Sequence, residues 1–154
     1  MPLNRALVGR RYVAPEPFEV GREHIRSFAL AIGDPNPVYL DPAAARALGH
    51  RDVVAPPTFL TVLALRFGAN GPVVDSELGL DYALVVHGEQ TFTHHRPIHP
   101  GDRLSGVTTI TGIRDAGRNE LMTMATEVTD EAGAAVATLV STIVSRGTAT
   151  GQEG

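Results

Sequence analysis

The chain has 154 residues, a length that favours one domain, and at 43% hydrophobic and 19% charged it reads as a soluble globular protein. A formal charge of -4 and a pI of about 5.8 remove the electrostatic case for nucleic acid, no run approaches the ~20 apolar residues of a membrane span, and "MPLNRALVGRRYV" lacks the apolar core of a signal peptide. The absence of cysteine excludes disulfides and thiolate chemistry and fits a cytoplasmic setting.

In chain order, a short strand is expected near Arg11–Val13. The first helix signal is "VGREHIRSFALAIG", where Ile25, Phe28, Ala29 and Ile32 fall on one face and Arg22, Glu23 and Arg26 on the other. Gly33 sits where a helix C-terminal glycine is expected, and Pro35 and Pro37 prevent continuation. A second helix follows at "DPAAARALG", with Asp41 as N-cap, Pro42 in first position and Gly49 at the end. The third, "PPTFLTVLALRFGANG", opens at Pro57 or Thr58. Its Phe59, Leu60, Leu63 and Phe67 lie near one stripe that Val62 and Leu65 widen, the pattern of a core helix.

After Gly71 the texture changes to segments rich in Val, Ile and Thr, separated by turn signals at "HPGD", "DAGRN" and "DEAG". Met122, Met124, Thr126 and Val128 alternate with Leu121, Thr123, Ala125 and Glu127, and Val136, Thr138, Val140, Thr142 and Val144 alternate likewise. These are expected to be long antiparallel strands. Helices first and a strand meander last give an α+β class, one domain over residues 1–147 with an antiparallel sheet wrapped around the apolar helix near Thr58; that describes a hot-dog fold, which pattern alone does not separate from other α+β folds. Residues 148–154 are expected to form a frayed tail.

The chemically suggestive stretch is "GDPNPVY", residues 33–39. Each proline pushes its predecessor toward extended backbone, so Asp34 and Asn36 are displayed by a stiff loop. Two readings follow: Asp34 as a proton-transfer group, or Asp34 and Asn36 as makers of Asx turns in a helix stop.

"GDPNPVY" followed by Ala45 resembles the signature of the MaoC-like (R)-specific enoyl hydratases and 3-hydroxyacyl dehydratases, with Gly33, Asp34, Asn36, Pro37 and Ala45 in place. "VVAPPTFLTVL" resembles the segment opening that family's central helix, and "FTHHRPIHPGDRL" its Arg-Pro-x-x-x-Gly-Asp strand entry. The resemblance implies reversible hydration of an acyl thioester, in which an Asp and a His act on one water and a backbone N–H at the helix start binds the thioester oxygen.

The chain departs from that pattern twice. Tyr39 replaces the histidine, and a phenol with a reference pKa of about 10 is a poor base near neutrality. Pro57 replaces the glycine whose N–H would bind the oxyanion, leaving Thr58 as the next donor. Scaffold kept and catalytic parts lost is similar to the acyl-holding subunits of heterodimeric 3-hydroxyacyl-ACP dehydratases (the FAS1-like or N-terminal MaoC dehydratase domain). "GLDYALVVHGEQTF" resembles them too.

The resemblance implies catalytic candidates Asp34, Tyr39 and His87, and substrate contacts from Asn36, Pro57, Thr58, Phe59 and Gln90. It also implies an acyl-CoA or acyl-ACP thioester as ligand, and a homodimer or a heterodimer with a catalytic MaoC-like subunit. A self-sufficient hydratase using Asp34 with Tyr39 or His87, and a purely acyl-binding module, stand as alternatives. His87 and Gln90 would lie on opposite strand faces unless Gly88 makes a bulge. His94 and His95, adjacent in a strand, cannot share a metal, and neither a metal nor a cofactor is expected.

Overall fold

The computed structural model describes residues 1–68 and 71–150. The strands are β1 (Arg11–Val13), β2 (Phe18–Glu19), β3 (Val85–His94), β4 (Arg103–Ala116), β5 (Asn119–Thr129) and β6 (Ala135–Ser145). The helices are α1 (Arg22–Ala31), α2 (Pro37–Leu40), α3 (Pro42–Ala47) and α4 (Leu60–Phe67). The sheet is antiparallel, ordered β1–β4–β5–β6–β3, with β2 on β4 beside β1. This is the α+β hot-dog architecture expected.

Helix α4 is the filling. Phe59, Leu60, Leu63 and Phe67 are buried against Leu104, Val128, Val136, Ala137 and Leu139 of the sheet. At Gly106 the helix comes so close that a β-carbon would sit 2.3 Å from Phe67 Cδ2, so only glycine fits without movement. Expectation and structure differ at two points here. The α-helix starts at Leu60, after turns in which the Phe59 N–H bonds the Pro56 carbonyl (2.9 Å). Leu65 does not widen the buried stripe: it is 76% exposed, because an eight-residue helix against one sheet has only one covered side.

A second core closes the other end of the sheet. Leu3, Leu7 and Leu78 pack with Ile110, Met122, Met124 and Ile143. Fully buried Glu120 anchors this end: its Oε2 accepts the Leu3 N–H (2.8 Å), and Arg5 lies 3.6 Å from its Oε1.

Met122, Met124, Thr126 and Val128 form the buried face of β5, as the alternation predicts. On β6 the buried face is instead Ala137, Leu139, Ile143 and Ser145, while Val140, Thr142 and Val144 lie half-buried on the other side. Val128 pairs with Ala137 and Thr129 with Ala135, so Val136 is an extra bulged residue, and the alternation seen in sequence changes face there. Of the tail expected from residue 148, Thr148 is buried and the Ala149 N–H bonds the Arg118 carbonyl; residues 151–154 lie outside the described residues. Among the described residues, no helix is long and apolar enough to cross a membrane.

Candidate functional site

Helix α1 ends in a Schellman motif: the Asp34 N–H bonds the Ala29 carbonyl (2.9 Å), the Gly33 N–H bonds the Leu30 carbonyl (3.1 Å), and Gly33 is left-handed at φ +72°. The Asp34 carboxylate then accepts the Asn36 N–H (3.2 Å), and the Asn36 side-chain oxygen accepts the Val38 N–H (3.1 Å). Both side chains therefore make Asx-type bonds. The second does more than stop a helix: Asn36 caps α2, with Pro37 in its first position. Proline here starts a helical turn as well as ending the preceding one. That turn buries Val38 and sets Tyr39 against the main core.

Two backbone bonds bring the next segment alongside. The Val54 N–H reaches the Val38 carbonyl (3.1 Å), and the Ala55 N–H reaches the Ile98 carbonyl (2.9 Å). Between these strands of chain lies a cavity of about 570 Å³. Val38, Val54, Pro56 and Ile98 give it apolar walls, and Tyr39, Pro57, His50, His94, His95 and Arg96 add its polar and rim groups. No carboxylate is in the lining among the described residues.

Of the residues expected at the site, Tyr39 and Pro57 line this cavity. Asp34 lies outside the lining, but its charge reaches Tyr39: burial first, and the Asp34 charge second, push the phenol above its ordinary value of 10.0. Tyr39 is thus a neutral hydrogen-bonding group near pH 7. Asn36, Thr58 and Phe59 are not in the lining; Phe59 is fully buried in the core, packed edge-on to Phe28. The Thr58 N–H has no hydrogen-bond acceptor among the described residues.

His87 and Gln90 stand apart from the cavity. Gly88 does make a bulge: His87 pairs with Ile143 and Gln90 with Ser141, which puts the two side chains on one face. Gln90 spends its amide on Ser141 Oγ (2.9 Å) and the Val140 carbonyl (3.1 Å), a cross-strand tie, and His87 is exposed.

Sequence reading did not assemble the histidines. β3 ends at His94, so the expected opposite-face geometry of His94 and His95 does not persist and both line the cavity. His94 Nε2 is 2.8 Å from the Pro57 carbonyl oxygen. His50 Nδ1 is 3.2 Å from His99 Nε2, tying the loop after α3 to the β3–β4 turn. Burial, then the charges of Arg51 and His50, lower the His99 pKa below the ordinary 6.5.

The arginines at this rim are occupied. Arg96 contacts both oxygens of Asp102 (2.9 and 3.3 Å) and approaches Asp130 (3.4 Å), and Arg51 also bonds Asp102 (2.9 Å). Burial opposes ionisation of Asp102, but the Arg96 bond, the His99 amide and the two guanidinium charges outweigh it and lower its pKa. The Arg-Pro-x-x-x-Gly-Asp segment thus closes on itself as a structural clasp. No group of three or more His, Asp or Glu among the described residues could hold a metal.

Comparison with known proteins agrees with this picture. Residues 6–139 match the model of the FAS1-like, dehydratase domain region. A UPF0336 protein of Streptomyces avermitilis is 52% identical over 147 residues, covering 95% of this chain and 97% of its own. A chain of the C-terminally truncated HadBC (3R-hydroxyacyl-ACP dehydratase) complex of Mycobacterium tuberculosis superposes with a TM-score of 0.76 at 28% identity, covering 90% of this chain and 96% of that one. A MaoC-like dehydratase structure gives a TM-score of 0.79 at 37% identity; the match covers 92% of this chain but only 42% of that longer one.

Proposed function

The chain belongs to the FAS1-like dehydratase-region family of MaoC-like hot-dog proteins, and from that premise we propose that it is the substrate-holding subunit of a paired 3-hydroxyacyl-thioester dehydratase. One observation carries the reading: a cavity of about 570 Å³ has apolar walls from Val38, Val54, Pro56 and Ile98, yet no carboxylate lines it among the described residues. Addition or removal of water at C3 of the acyl thioester needs a group that takes a proton near neutrality. Tyr39, its phenol raised further by burial and Asp34, is the wrong group for that. Pro57 has no N–H to offer a developing enolate oxygen. On this reading the partner supplies the Asp/His pair, and this chain supplies the acyl wall.

Two relatives support pairing. One similar structure is a complex named as a 3R-hydroxyacyl-ACP dehydratase, and another has a chain more than twice the length matched here, which leaves room for a second domain of this size. The open side of β3, which pairs only with β6 among the described strands, is where a partner sheet would add. The ligand would be an acyl-CoA or acyl-ACP thioester.

The deciding experiment is co-expression and pull-down with a neighbouring-gene MaoC-like protein that carries an intact Gly-Asp-x-Asn-Pro-x-His signature. Enoyl-thioester hydration is then assayed for each chain and for the pair. The proposal expects turnover by the pair and none by this chain alone. Hydration of crotonyl-CoA by the pure isolated chain would defeat it and favour the second reading, a self-sufficient hydratase. The observation behind that alternative is the electrostatic reach of Asp34 onto Tyr39.

A further inference from the structure

We infer that His94 is a positioning residue of the acyl cavity: its Nε2–H bond to the Pro57 carbonyl fixes the peptide group that walls the cavity beside Tyr39. The inference deepens the substrate-holding role proposed above and rests on it.

A carbonyl has no proton to give, so at 2.8 Å His94 Nε2 must be the donor. That selects the Nε2–H tautomer and leaves Nδ1 as an acceptor in the neutral ring. The Pro57 carbonyl is otherwise unclaimed by the turns that precede α4. The Phe59 N–H goes to Pro56 and the Thr61 N–H to Thr58, passing over Pro57 between them. His94 therefore holds an oxygen that the helix start does not hold for itself. It reaches it from the last residue of β3, on the inner face opposite buried Ala137. His94 and Pro57 both line the cavity, so their bond spans two of its walls. The Ala55 N–H to Ile98 carbonyl bond secures the same loop upstream.

One consequence follows from peptide geometry. In a trans peptide the C=O and the next N–H point in opposite directions. Holding the Pro57 carbonyl toward His94 thus also fixes the direction of the Thr58 N–H, which has no acceptor among the described residues. Without the His94 bond this peptide unit is held only by the turn bonds that flank it, and both the cavity wall and the Thr58 amide lose a direct tether.

The test uses the full chain, 15N-labelled, alone and with its partner subunit, in parent, His94→Leu and His94→Gln forms. Glutamine places an amide N–H near the position of imidazole Nε2, whereas leucine keeps bulk and removes the donor. The parent should show His94 as the Nε2–H tautomer. The Thr58 amide resonance should move in His94→Leu and stay near its parent position in His94→Gln. In titrations with crotonyl-pantetheine, His94→Leu should weaken binding about tenfold and His94→Gln should recover it to within about twofold. An Nδ1–H tautomer in the parent, or unchanged affinity in a folded His94→Leu, overturns the inference. Should His94→Leu fail to fold, the parent tautomer and the His94→Gln titration decide alone. A parent that binds no crotonyl-pantetheine, with or without partner, overturns the acyl-thioester reading and with it the ligand-facing part of this role. In that case the tautomer and the Thr58 resonance still report whether His94 holds the peptide.

Discussion

The resemblance implies a proton-transfer role for Asp34, whereas in the structure its carboxylate accepts the Asn36 N–H and so shapes the turn that presents Tyr39. Asparagine retains that acceptor and removes the charge. Asp34→Asn should therefore melt like the parent and leave turnover of a reconstituted pair within about twofold; a loss of about a hundredfold or more would return Asp34 to the catalytic role. Asn36→Ala should cost about 1 kcal/mol in urea unfolding, the usual loss for a helix N-cap. His99 gives a pH signature. The folded imidazole is held below 6.5, mainly by burial. As pH falls below 6.5 the unfolded chain takes up this proton before the folded chain does, so stability declines through that window and is restored above it. Asp102 adds a second loss at lower pH: its folded value lies below 3.8, so its contribution is present above 3.8 and disappears as pH falls through the folded value. Urea melts of His99→Gln at about pH 7.5 and about pH 5.5 should differ less than those of the parent.

Helix α4 and strand β4 meet at Phe67 over Gly106. A single methyl at that contact overpacks the core, so Gly106→Ala should lose about 1–3 kcal/mol in denaturant unfolding, and Phe67→Leu in the same chain should return part of the loss. At this scale most of the fold was legible. Alternation in β5 and the glycine–proline punctuation around α1 and α3 carry strong local signals. What was not legible came from long-range placement. The glycine at 88 marked a possible bulge without deciding it, the bulge at Val136 exchanges faces with no mark that pattern alone can read, and Leu65 is apolar on a side the sheet does not cover. Helix α2 was hidden because Asn36-Pro37 reads as a stop as readily as a start. The site was half legible for the same reason: Tyr39 and Pro57 lie in recognisable motifs, whereas His50, His94 and His95 become cavity residues only when three separated segments are folded together.

The whole molecule is one sheet with two plugs, α4 at one end and the Leu3–Leu7 segment at the other. The second plug has a temporal meaning. The bond that seats it joins Leu3 to Glu120, residues 117 positions apart, and its apolar bed includes Ile143 near the end of β6. During synthesis the Leu3–Leu7 segment, made before any strand of its bed, has nowhere to dock until almost the whole sheet exists. Closing so long a loop is entropically slow to be rewarded. This early segment should thus be among the last to find its place. Removing the acceptor with Glu120→Leu should then raise the unfolding rate in stopped-flow chevrons and leave the folding rate nearly unchanged. A nascent chain halted before β5 would present Leu3 and Leu7 unsheltered, a natural handle for a chaperone.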